Sequence, residues 1–111
     1  MRMWTIHPRY MCGQHLLGEH VEMHMFVGTL AIGRSIQGYI TNGLVDPRNI
    51  TDRHNLLAQE MKARGYNHKT PMDFDSRELP QISISKNNGF DELLNRCGDC
   101  RSRYHQITNK K

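Results

Sequence analysis

The chain has 111 residues, 37% hydrophobic and 23% charged, with a formal net charge of +4; this fits one modest domain spanning residues 1–111 and excludes a multidomain enzyme. No apolar run approaches the roughly 18 residues of a membrane span and no secretory signal pattern opens the chain, so a soluble intracellular protein without membrane contacts is expected. The excess charge lies in the second half, and the last sixteen residues hold Arg96, Arg101, Arg103, Lys110 and Lys111 against Asp99 alone, a basic end suited either to phosphate contacts or to simple solvation.

The first periodic segment runs from about Cys12 to Ala31, where Leu16, Met23, Val27 and Leu30 form one apolar stripe at helical spacing. Gly18 and Gly28 weaken this helix by about 1 kcal/mol each, which suggests close packing or a ligand beside them, and Gly33 is its stop. A linker with Gly38 and Gly43 leads to Asp46-Pro47, read as an N-cap and first-turn proline. Ile50, Leu57 and Met61 then mark the buried face of a second helix that ends at Arg64-Gly65.

Residues 66–89 contain Pro71, Pro80 and Gly89 and read as a long loop, with a short extended piece at Gln81 to Ser85. Phe90, Leu93, Cys97, Cys100 and Tyr104 recur in steps of three and four and predict a third helix from Phe90 to Tyr104. The expected fold is all-α: a compact three-helix domain with a long loop between the second and third helices. Seven methionines and 7% aromatic residues predict a thin core.

Several side chains on this plan could carry chemistry. His15, Glu19 and Glu22 share a narrow arc of the first helix. That grouping reads either as a solvated face or as an acid–base cluster in which burial raises one carboxyl. His20 and His24 form another i, i+4 pair, but the order of residues is not that of a metalloprotease. Three cysteines do not make a secreted disulfide framework, so reduced thiols are expected. Cys97-Gly98-Asp99-Cys100 reads first as buried thiols on an apolar stripe, and alternatively as half of a zinc site completed by Cys12 and one of the seven histidines.

The order of these features resembles the pyrimidine-dimer DNA glycosylase, or endonuclease V, family of phages, some viruses and bacteria. Gln14-His15-Leu16-Leu17-Gly18-Glu19-His20-Val21-Glu22 is similar to that family's first-helix motif, and Arg53 to Asn67 to its middle helix. The resemblance implies DNA repair by an N-glycosylase with AP-lyase activity on double-stranded DNA, as a cytoplasmic monomer in a bacterial cell or phage-infected host. It implies catalysis without metal or other cofactor, through the α-amine of Met1 as nucleophile and Glu22 as its acidic partner. An α-amine, with an ordinary pKa of about 7.7–8.0, is partly neutral at physiological pH without burial.

Aligning the motifs sets Met1 where the archetype's processed first residue stands, and the bulk of Arg2 protects Met1 from removal. Arg2, Gln14 and His15 match DNA-contact positions by the same resemblance, and His24 is counted with them as a substitute for first-helix arginines of the archetype. The archetype's arginines around the catalytic Glu are Val21 and Met25 here, and its longer tail is absent. The target is therefore a pyrimidine dimer or a related modified base. A binding or inhibitory module on the same scaffold, with or without zinc, and a metal-dependent nuclease using His15, Glu19 and Glu22 are the alternatives.

Overall fold

The computed structural model describes residues 1–68, 71, 72, 74, 76, 79 and 86–109, with 86–88 as backbone only. Among the described residues five α-helices run in the order α1 Gly13–Ala31, α2 Gln37–Thr41, α3 Ile50–Ala63, α4 Lys86–Arg96 and α5 Gly98–Thr108, with short 3-10 turns at Pro8–Tyr10 and Pro47–Asn49. No strand occurs among the described residues, so the fold is all-α as the periodicity predicts. No described helix is long and apolar enough to cross a membrane.

Helix α1 starts where Cys12 is extended and its Sγ accepts the His15 N–H, which satisfies one of the free amides of the first turn. It stops at Gly33, whose φ of 77° lets the Gly33 N–H reach the Leu30 carbonyl and the Arg34 N–H reach that of Thr29, a Schellman closure. Gly65 (φ 86°) closes α3 in the same way. Leu16, Met23 and Phe26 are fully buried and Val27 and Leu30 pack against them, so the predicted stripe is the core face of α1.

Three local features differ from the sequence reading. The linker contains α2, because Ile36 is buried and Tyr39 and Ile40 pack on the core; five residues are too few for a periodicity to register. Asp46 precedes a 3-10 turn rather than α3 itself, and its carboxylate accepts from the Asn49 side chain instead of capping backbone. The third helix is two helices, broken at Cys97, where the backbone turns extended (φ −123°, ψ 109°) and Sγ accepts the Cys100 N–H. Leu93 and Cys100 are nevertheless both fully buried, so the apolar face continues across the break. The proposed extended piece at Gln81 to Ser85 lies outside the described residues.

The chain start runs as an extended segment into this helical frame. The Met3 N–H donates to the Leu44 carbonyl at 2.6 Å, and Met3, Trp4 and Ile6 are buried. Arg53 on α3 holds the Ile6 carbonyl at 2.9 Å and pairs with Glu19 on α1 through two nitrogens, at 2.5 and 2.8 Å. Arg64 donates to the carbonyls of Pro8 and Met11. From the far end of the chain, Arg103 reaches the Arg9 carbonyl, and the Tyr104 ring packs edge-on between Tyr10 and Phe90.

Candidate active site at the chain start

The extended first residues deliver the α-amine to the side of α1. The Met1 nitrogen lies 3.7 Å from Glu22 Oε1, and the Arg2 backbone N–H donates to the same oxygen at 2.9 Å. The Glu22 side chain keeps 29% of its exposure, whereas Glu19, one turn earlier, has none. The two carboxylates thus part company. Glu19 is sealed against Arg53, and burial raises its carboxyl above the usual range against the pull of the guanidinium and of the Trp4 N–H. Glu22 faces the amine and solvent.

The Arg2 side chain is held at two points. Its guanidinium lies 4.0 Å over the Trp4 ring, a cation–π contact. Its Nη1 meets Glu92 on α4 at 2.7 Å, while its buried Nε has no hydrogen-bond partner among the described residues. The hydrogen bond from Arg2, joined by one from Arg96, holds the Glu92 carboxyl below its ordinary range.

The other residues singled out in the sequence divide. Gln14 is exposed on the first turn of α1. His15 turns Nδ1 toward Cys12 Sγ at 3.3 Å and sets its ring edge-on to Trp4, with centroids 6.2 Å apart. His24 stacks within a group of four imidazoles, His20, His24, His54 and His68, whose ring centroids lie 4.6–5.4 Å apart among the described contacts. His15, Glu19 and Glu22 therefore engage three different sets of partners. Burial, together with the neighbouring His54, His24 and His68, pushes His20 down to about 4.

Tight packing does not account for Gly18 and Gly28 of α1. A Cβ at Gly28 would meet nothing within 4 Å, and one at Gly18 only Glu22 Oε2, at 3.9 Å. Val21 and Met25, which stand where arginines occur in the resembling family, are about half exposed on α1 in line with Leu17.

Sequence reasoning missed Trp4 and Glu92. Trp4 carried a signal, since the only tryptophan two residues after an arginine can present its face to it along an extended segment. Glu92 carried none, because ninety residues separate it from Arg2.

No curated protein and no solved structure matches this chain. A family model described as pyrimidine dimer DNA glycosylase matches residues 1–74 of the 111, a span that contains Met1, Arg2, Trp4, Glu19, Glu22 and Arg53. The chain belongs to the pyrimidine dimer DNA glycosylase family.

Proposed function

We propose that this protein is a DNA N-glycosylase with associated AP-lyase activity that acts on double-stranded DNA at a pyrimidine dimer or a related modified base, with the Met1 α-amine as nucleophile and Glu22 as its acidic partner. The observation that carries this reading is the amine standing 3.7 Å from a partly exposed carboxylate. Family membership supports the glycosylase class, and the amine–carboxylate pair supports the mechanism.

The amine nitrogen attacks C1′ of the target nucleotide as the bond from C1′ to the base breaks, and the base leaves with the bonding pair. Glu22 stabilises the positive charge that develops on the sugar and accepts the proton that the nitrogen sheds. The aminal opens as the C1′–O4′ bond breaks and O4′ gains a proton, leaving an imine between Met1 and C1′. The imine acidifies the 2′ hydrogen; its removal expels the 3′ phosphate and breaks the strand. Water then hydrolyses the imine and returns the free amine. Arg2, released from Glu92, meets the phosphate beside the target. Gln14, His15 and His24 are the further DNA contacts of this reading. Reaching C1′ requires a kinked or unstacked duplex, which is easier at a damaged site.

Borohydride added to the protein with ultraviolet-damaged or abasic duplex DNA should trap a covalent complex that contains the N-terminal peptide. Glu22→Gln should lower cleavage by about 10²- to 10⁴-fold while DNA binding stays within a few-fold, in the range general acid–base groups contribute. Acetylation of the N-terminus should abolish trapping. A wild-type protein that binds damaged duplex yet gives no trapped complex would instead be a binding module on this scaffold.

A further inference from the structure

We infer that Cys12, His15, Cys97 and Cys100 form a structural zinc site that clips the start of α1 to the junction of α4 and α5. Four ligand atoms from segments some eighty-five residues apart lie within 4.8 Å of one another. Cys12 Sγ is 3.8 Å from Cys97 Sγ, and His15 Nδ1 is 3.3 Å from Cys12 Sγ and 3.8 Å from Cys100 Sγ. A tetrahedral ion with Zn–S of about 2.3 Å and Zn–N of about 2.0–2.1 Å requires S···S edges of about 3.8 Å and S···N edges of about 3.6 Å. Three of the six edges, at 3.3, 3.8 and 3.8 Å, come close to these lengths, and none of the six exceeds 4.8 Å.

The two halves of the site are built alike. Cys12-Gly13-Gln14-His15 and Cys97-Gly98-Asp99-Cys100 each set a cysteine at a helix N-cap and the second ligand three residues on, in the first turn. Each sulfur also receives one backbone N–H: Cys12 from His15, Cys97 from Cys100, and Cys100 from Cys12. These amides lie at the N-termini of two helices and aim at the sulfurs that would ligate the ion. Backbone donors of this kind fix the ligands of a metal centre as its outer shell. With four protein ligands the site is closed, so its role is to hold structure. Through His15, whose ring packs edge-on to Trp4, it braces the platform under Arg2.

A second group of possible ligands, His20, His54 and His68, sets the control. Tag-free full-length protein, purified under reducing conditions, should retain one zinc per chain through gel filtration. Release should follow blocking of its thiols. Cobalt in place of zinc should give thiolate-to-metal charge-transfer bands together with the visible bands of a tetrahedral centre. His15→Ala should surrender the metal to dilute chelator. His15→Cys should keep it with stronger charge transfer, and His54→Ala should leave the content unchanged.

Wild-type protein that holds no metal after zinc reconstitution, with all three thiols titrating freely in the folded state, would overturn the assignment. So would a cobalt spectrum without thiolate bands, or metal lost on His54→Ala and kept on His15→Ala. Should a cysteine variant fail to fold, the cobalt spectrum of the native chain still decides. All these measurements read bound metal, so their outcome is independent of strand cleavage.

Discussion

Replacing one partner of the Glu19–Arg53 pair tests how α1, α3 and the chain start are fastened together. Arg53 is 9% exposed and Glu19 not at all; the guanidinium gives two bonds to the carboxylate, a third to the Ile6 carbonyl, and its Nη2 also lies 3.6 Å from Met11 Sδ. Glu19→Leu leaves that cation buried with one carbonyl as its only oxygen acceptor among those contacts, a loss of about 3–5 kcal/mol. Domains of this size hold about 5–15 kcal/mol in total, so the variant should unfold at a far lower urea concentration.

Arg53→Met strands the carboxylate instead. Glu19 can take up a proton, so this variant should suffer less in mildly acidic buffer than at neutral pH. The double variant Glu19→Leu with Arg53→Met buries no charge and should return to within about 2 kcal/mol of wild type. Urea unfolding followed by the fluorescence of Trp4, the single and buried tryptophan, reads all four proteins on the segment the pair secures. A single-variant cost below about 1 kcal/mol, or a double variant whose loss equals the sum of the two singles, would refute the reasoning.

Three further outcomes follow from single sites. Gly28→Ala should stabilise the fold by up to about 1 kcal/mol, because the position is helical, exposed and open around the missing Cβ; urea midpoints check it. Gly89→Ala should destabilise by about 1–3 kcal/mol and slow cleavage, since the new methyl collides with Thr5 Oγ1 and lies 3.2 Å from the Thr5 nitrogen, pushing the segment that carries Met1. Stability should fall as pH drops from about 6.5 towards 4: unfolded His20 binds a proton there while folded His20, lowered to about 4, does not. His20→Leu should flatten this dependence by up to one proton, and unfolding curves with an unchanged pH slope would disprove it.

Helix positions were readable because they depend on local periodicity and end signals. Leu16, Met23, Ile50, Leu57 and Met61 are buried as their spacing requires, and Gly33 and Gly65 stop helices at the predicted places. The break at Cys97 was hidden because Phe90 to Tyr104 keeps helical spacing straight through it; the extended residue that divides the two helices alters the backbone without disturbing which side chains face inward.

At the site, the pairing of Met1 with Glu22 followed from a resemblance carried by a short motif. The different fates of Glu19 and Glu22 required knowing where Arg53 falls, since both carboxylates have the same chemistry and neighbouring positions on one arc. The cysteine count already offered Cys12 as a partner of Cys97 and Cys100; which histidine joins them depends on how α4 and α5 return to the head of α1, which no local pattern encodes.

That return also explains why the family match, which ends at residue 74, does not contain the whole site. Residues 86–109 supply Glu92 for Arg2, the Gly89 backbone against Thr5, and two of the four clustered metal-ligand side chains. The amine is thus set from both directions. Glu22 approaches it from α1, inside the matched span, while α4 meets Arg2 and Thr5 of the extended segment. Arg2 is the joint between these halves; in its ion pair the guanidinium side chain keeps 16% of its exposure and Glu92 39%. On the proposed reading a phosphate takes the place of Glu92, while Trp4 keeps the guanidinium in place. On that reading, a chain start held by its buried backbone lets Arg2 change partners without moving the nitrogen that stands beside Glu22.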